Sequence, residues 1–291
     1  MRLAVTGREG QVARSLVEQA RRRNDIEVVV VGRPDLDLED ATTIMPALEA
    51  ARPDVIVSAA AYTAVDRAED EAALAFAINH DGAGHVAAAA AQLDVPVIHL
   101  STDYVFDGEM SRGYTEEDPT GPGNVYGASK LAGEKAVRDV NPKHLILRTS
   151  WVYSPFGVNF VRTMLRLAGQ NENISVVADQ RGCPTSALDI ADAILHVAMR
   201  ARIDGFPWGT YHFAGTGETS WSDFARHILM TSRQLGGPYA HVTDISTADY
   251  PTRARRPSNS CLSSKKFAAA FGWTSPHWRE STKEVVTRLI S

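Results

Sequence analysis

Arg2-Leu3-Ala4-Val5-Thr6-Gly7-Arg8-Glu9-Gly10-Gln11-Val12-Ala13 is the stretch that decides the fold of this chain. Residues 2–6 form a short β-like run. Beyond the glycines, Val12, Leu16, Val17 and Ala20 share one face of a helical pattern. Strand, Gly-rich turn and helix in that order make the setting of a phosphate-cradling loop. Gly7 and Gly10 let the backbone approach a pyrophosphate, and the helix N-terminus offers free N–H groups and a partial positive charge. Ala13 stands where a third glycine is usual and is still small enough for close helix–strand packing. A purely structural tight turn is the competing reading. The location at the head of a βαβ pattern favours dinucleotide binding.

Working outward, the second strand is Glu27–Val31, and it ends at Gly32-Arg33-Pro34. An acidic residue at this point would bind the adenine ribose hydroxyls, whereas an Arg suits a 2′-phosphate. Arg33 therefore points to NADPH, with NADH as the alternative, and a solvated loop arginine is the bland reading. Asp35 and Asp37 follow. The third strand, Val55-Ile56-Val57, opens into Ser58-Ala59-Ala60-Ala61-Tyr62-Thr63, whose small residues let a cofactor lie over the backbone. Residues 70–92 read as one long helix carrying Asn79, a core amide. The fourth strand, residues 95–100, delivers Ser101-Thr102-Asp103 at its C-terminal end, where ligands bind in open α/β sheets. His144–Thr149 is the next strand. Strands alternating with helices predict an α/β fold with a doubly wound parallel sheet of Rossmann type and right-handed crossovers.

Between these strands lies Tyr126-Gly127-Ala128-Ser129-Lys130. A Tyr and a Lys four apart share one helical face. A cation one turn away would favour the phenolate and pull the phenol toward the working range. Tyr126 could then protonate a carbonyl oxygen while a hydride reaches its carbon. Alone, the pattern is better explained by an exposed aromatic beside a solvated Lys. The dinucleotide turn and the Thr102 hydroxyl raise its weight.

After Trp151 the alternation loosens. Helical stretches are predicted near 157–169, 186–201, 220–234, 263–271 and 278–290, and strands near 174–177, 210–213 and 241–245. The expected division is a dinucleotide-binding domain over 1–150 and a smaller α/β substrate lobe over 151–291 that shares segments with it. The basic run Arg253-Ala254-Arg255-Arg256 is either a solvated loop or a clamp for a substrate's diphosphate.

With 30 basic and 35 acidic residues among 291, the net charge of −5 argues against nucleic acid as a partner. Cys183 and Cys261 lack metal-ligand spacing and make no disulfide framework, which fits a reducing cytoplasm. Residues 2–6 are too short an apolar run for a signal peptide, and Val86–Ala91 is too short to span a bilayer. No membrane partner is expected.

The whole chain, in order, resembles the extended short-chain dehydrogenase/reductase family, and within it the reductases of 4-keto sugar nucleotides. The resemblance is carried by TGREGQVA (6–13), AAAYTAVDRAE (59–69), STDYVFDG (101–108), VYGASKLAGE (125–134), LRTSWVY (147–153), GCPTSALDIA (182–191), YHFAG (211–215) and RRPSNSCL (255–262). It implies catalytic roles for Tyr126 as proton donor, Lys130 as holder of the nicotinamide ribose, and Thr102 as the hydroxyl that orients the substrate carbonyl. It implies cofactor contacts at Gly10, Gln11 and Val12, at Asp37 and Leu38 on the adenosine side, and at Ala59, Ala61, Tyr62 and Thr63 beside the cofactor. Substrate contacts follow at Thr102, Asp103 and Trp151, to which the basic loop adds Arg253 and Arg255. The implied reaction is NAD(P)H-dependent reduction of the C4 ketone of dTDP-4-dehydrorhamnose, a step of nucleotide-sugar and cell-surface polysaccharide synthesis, by a monomer or homodimer. Another nucleotide-sugar reductase or epimerase, or a non-catalytic regulatory subunit like that of methionine adenosyltransferase, are the rival readings. Some relatives are described with Mg2+ bound by acidic groups near the first helix. Arg14 and Ser15 occupy that region here, so no metal is expected.

Overall fold

A computed structural model describes residues 1–203 and 205–291 of the chain. The first half runs β1 (Arg2–Thr6), α1 (Gln11–Ala20), β2 (Glu27–Val31), α2 (Ala41–Ala51), β3 (Val55–Ser58), α3 (Val65–Ala68), α4 (Ala72–Phe76), a π-helical turn (Ala77–Gly82), α5 (Ala83–Gln92), β4 (Val97–Thr102), α6 (Val125–Val140) and β5 (His144–Thr149). The second half adds β6 (Val152–Tyr153), α7 (Phe160–Ala168), β7 (Asn173–Val177), β8 (Arg181–Gly182), β9 (Thr185–Ser186), α8 (Ala187–Ala198), β10 (Gly209–His212), β11 (Thr219–Ser220), α9 (Trp221–Gln234), β12 (His241–Ile245), β13 (Asn259–Ser260), α10 (Lys265–Phe271) and α11 (Trp278–Ile290).

The central sheet is parallel, in the order β2-β1-β3-β4-β5-β10. It is covered on both faces, so its strands are largely apolar. Leu3 and Val5 of β1 pack under α1, α8 and α10, while Ala4 between them faces α2 and α5. The strand order reverses at β1. The crevice beyond the carboxyl ends of β1 and β3 is thus the ligand position that the topology dictates. β10, from the second half, closes the sheet beside β5, and α8 packs on α1, with Gln19 Nε2 donating to Asp192 Oδ2 at 2.6 Å. A separate core joins α7, α9 and α11 around Tyr153, Phe224 and Trp278.

Residues 70–92 do not form the single regular helix expected from sequence. α4 and α5 are joined by the π turn, and the short α3 precedes them. Within that turn Asn79 is buried. It accepts from Tyr62 N–H at 2.8 Å and donates to Tyr62 O and Ser129 Oγ at 3.0 Å each. It is the core amide expected, and it ties the β3 loop to α6. The two-residue strands were invisible to periodicity because two residues define none.

Candidate active site

A cleft of about 890 Å³ runs across the carboxyl ends of β1, β3 and β4. At one end lies the turn before α1. Gly10 is the N-cap residue, no side chain caps the helix, and no acidic residue stands in its first turn, so its first N–H groups are available to an anion. The Gln11 side chain turns away and accepts from Ser154 Oγ at 2.8 Å and Asn159 Nδ2 at 3.0 Å, which leaves only its backbone for the turn. Gly7, Val12, Arg33, Asp37, Leu38, Ala59, Ala61 and Thr63 line the same cleft, as expected from sequence. Tyr62 does not. Its hydroxyl donates to Glu71 at 2.6 Å, because the loop after β3 is pinned by Asn79 through the Tyr62 backbone. Arg8, which sequence reasoning passed over, also lines the cleft and bonds Gly32 O at 3.2 Å and the Asp35 carboxylate. Its signal was a basic residue inside the phosphate turn.

At the other end, α6 presents Tyr126 and Lys130. Asn124 caps the helix by accepting from Gly127 N–H at 2.8 Å. The helix can come this close only because two positions lack a Cβ. A Cβ on Gly127 would lie 2.1 Å from Tyr104 O, and one on Gly133 would lie 2.0 Å from Asn79 O. Lys130 is buried, and its Nζ donates to Leu100 O at 2.7 Å. Burial brings the Lys130 ammonium down to about 8, against the pull of Glu134 one turn on. The effect expected for Tyr126 is reversed. Burial pushes its phenol well above its ordinary value, and a hydrogen bond to Thr102 only partly offsets this. The Lys130 ammonium is held by the β4 backbone, so it does not cancel the desolvation of the ring.

Glu134 is fully buried and bound bidentately by Arg148 of β5, with Nε–Oε1 at 2.8 Å and Nη2–Oε2 at 2.7 Å; it also accepts from Ser101 Oγ at 2.6 Å. These bonds tie α6 to two strands. Thr102 Oγ1 accepts from Tyr104 N–H at 3.2 Å and donates to Asp103 Oδ1 at 3.1 Å. Burial raises Asp103 to about 6. Asp103 Oδ2 and Thr149 Oγ1, both on the cleft wall, are buried polar atoms without a hydrogen-bond partner among the described residues. Such orphaned atoms are uncommon in folded interiors and suit the hydroxyls of a sugar.

Trp151 forms the far wall. Its φ of 48° is strained for a bulky residue. It is held by a stack on Trp221, with centroids 3.5 Å apart, and by Gly182, where a Cβ would lie 2.2 Å from the Trp151 ring. The basic loop, read from sequence as either a solvated loop or a diphosphate clamp, lies outside this cleft. Arg253 pairs with Asp70, Arg255 with Glu109 at 2.9 Å, and Arg256 with Asp66, and none of the three lines the cleft. The carboxylates of the AVDRAED segment and the 107–109 turn, distant in sequence, meet this loop in the fold and neutralise it. Arg255 and Arg256 instead line a separate cavity of about 430 Å³ with Asp179, Thr247 and Tyr250. In the region of Arg14 and Ser15, Arg14 lies over the Phe156 ring at 4.5 Å, and Ser15 Oγ donates to Gln11 O at 2.8 Å. Among the described residues no three His, Cys, Asp or Glu side chains gather as a metal site, and no helix is long and apolar enough to cross a membrane.

The sequence model of the family described as RmlD substrate binding domain matches residues 1–291. This chain belongs to that family. It is 52% identical to the dTDP-4-dehydrorhamnose reductase of Sinorhizobium fredii, over 100% of this chain and 98% of that one. Its fold is shared by solved structures, two of which are similar over nearly the whole chain. The dTDP-4-dehydrorhamnose reductase of Clostridium acetobutylicum is 36% identical with a TM-score of 0.92, each chain covered in full. That of Bacillus anthracis, solved in complex with NADP, is 35% identical with a TM-score of 0.92 over 99% of both chains.

Proposed function

We propose that this protein reduces the C4 ketone of dTDP-4-dehydro-L-rhamnose to dTDP-L-rhamnose with NADPH. The observation that carries this reading is one continuous cleft. It has an uncapped helix N-terminus and two arginines at one end and Thr102, Asp103, Tyr126 and Lys130 at the other, in a chain of the RmlD family. The cofactor fits what the cleft offers. The α1 N-terminus would hold its pyrophosphate, Arg8 and Arg33 the 2′-phosphate, and Lys130 the nicotinamide ribose. When bound, the reduced nicotinamide supplies the hydride to C4.

This chain's residues handle the oxygen. Thr102 accepts from Tyr104 N–H, which leaves its own hydroxyl proton free to leave Asp103 and turn to the C4 oxygen. Tyr126 is protonated at neutral pH because burial holds its phenol high, so it enters the reaction as an acid. As negative charge grows on the oxygen, Tyr126 passes its proton to it. The phenolate left behind is stabilised by the charge of the Lys130 ammonium one helical turn on. Asp103 and Thr149 orient sugar hydroxyls, and Trp151 walls the ring. Substrate specificity, cytoplasmic location and the division into a cofactor domain and a substrate lobe belong to the same reading.

The test is oxidation of NADPH in the presence of dTDP-4-dehydro-L-rhamnose, with the product sugar identified by NMR. Stoichiometric formation of dTDP-L-rhamnose is expected. Tightly held NAD+ and epimerised product without net oxidation would replace the reading with that of an epimerase.

A further inference from the structure

Among the buried polar side chains, His99 is left without a part in the reaction as described. It lies in β4, 1% exposed. Nδ1 is 3.1 Å from Ser58 Oγ on the neighbouring strand, and Nε2 is 3.4 Å from Lys130 Nζ. We propose that His99 is a positioning residue that anchors the Lys130 ammonium at the cofactor end of the cleft. The proposal rests on the role given to Lys130 above.

An ammonium has three donors and no acceptor, so Nε2 can meet it only as a bare acceptor. The ring proton must then sit on Nδ1, from which it is donated to Ser58 Oγ. Ser58 thus selects the tautomer that Lys130 needs. Burial, and then the charge of Lys130, keep His99 well below the usual histidine range, which favours the neutral ring that the contact requires. Leu100 O supplies the second anchor from the next residue of the same strand. Two anchors fix a long, flexible side chain and leave its third donor for a ligand hydroxyl. A buried apolar side chain would fill the same space at lower desolvation cost. The polar ring is explained by what it holds.

The charged and titratable neighbours of Lys130 are few. Tyr126 and Glu134 lie one turn before and after it on α6, and Arg148 of β5 pairs with Glu134. Asp103 beyond β4 acts on Tyr126, and the π turn contributes the uncharged Asn79. Of these groups, His99 is the one whose loss removes an acceptor from the ammonium without changing the charge around it.

His99→Gln keeps an acceptor near the Nε2 position, whereas His99→Asn keeps one only near Nδ1. The Asn variant should raise KM for NADPH by roughly 10-fold, and the Gln variant by only a few-fold. With less support for its charge, Lys130 should lose its proton at lower pH in the Asn variant. The alkaline limb of kcat/KM for NADPH should therefore move to lower pH. Equal KM values and superimposable pH profiles, with only the melting temperature reduced, would mean a merely structural histidine and overturn the proposal. Nitrogen-15 NMR of the unmodified enzyme tests it without a mutation. A proton on Nδ1 supports it, and a proton on Nε2 overturns it. Lys130→Met separates the two readings. If that variant remains active, the role given to Lys130 fails. If it is inactive while His99→Asn behaves as wild type, only the role of His99 fails.

Discussion

Two clusters of charge in this molecule behave in opposite ways. On α6, Lys130 and Glu134 are buried, with relative exposures of 3% and 0%. Each is gripped by partners from the strands beneath. In the 253–256 loop the Arg253 and Arg255 side chains are 63% and 65% exposed, each beside a carboxylate that is at least half exposed. Water screens the second set and leaves each pair worth little. Desolvation makes the first set depend on every contact it has, and so able to be tuned. A charge becomes part of a site by being removed from water and held, not by being numerous.

The comparison can be broken or sharpened by substitution. Tyr126→Phe keeps the ring and removes the acid, so kcat should drop by roughly 10²–10⁴ with the melting temperature nearly unchanged. A rate within a few-fold of wild type would remove α6 from the chemistry. Glu134→Leu strands the Arg148 guanidinium in the interior and should cost about 3–5 kcal/mol in denaturant unfolding. A loss below about 1 kcal/mol would mean that this pair is as weakly coupled as a surface one.

The 2′-phosphate end should respond less. Arg33→Ala should weaken NADPH binding by about 1.5–3 kcal/mol, the usual worth of a hydrogen bond to a charged group, and leave NADH alone. Equal effects on both cofactors, measured by titration, would return Arg33 to the solvated class. For the loop itself, Arg253→Ala should change stability by roughly 0–1 kcal/mol and leave dTDP binding unchanged, since its partner is Asp70. A clear loss of dTDP affinity would show that the loop is released from its carboxylates to clamp the diphosphate.

Asp103 offers a pH test of the buried side. Its carboxyl is raised from 3.8 to about 6 in the fold, so the native state holds this proton more tightly than the unfolded chain. The stability linked to it is present below about 3.8 and is lost as pH rises through about 6. Asp103→Asn should flatten the pH dependence of the unfolding free energy in that window. An unchanged slope would mean that Asp103 is ionised in the fold.

The Gly-rich end of the cleft was readable in the sequence because it is built from backbone. Gly7, Gly10, Ala59 and Ala61 act by what they lack, and their place after β1 and β3 follows from strand–turn–helix order. Tyr126 and Lys130 were readable for a similar local reason, four residues on one helix. The fates of Tyr62 and the arginines were not. Tyr62 is captured by Glu71 and by the Asn79 clasp on its backbone, and Arg253 by Asp70 across 183 positions of sequence.

Local order along the chain thus determined the parallel, doubly wound sheet and the helix that places Tyr126 and Lys130 on one face. Short-range geometry, a period of 3.6 or of 2, is written directly into residue spacing. The tertiary structure alone decided which charges are desolvated, that burial raises the Tyr126 phenol, that His99 meets Lys130, and that Trp151 is pinned between Trp221 and Gly182. Those outcomes depend on which residues from distant segments exclude water from one another, and no local pattern encodes that.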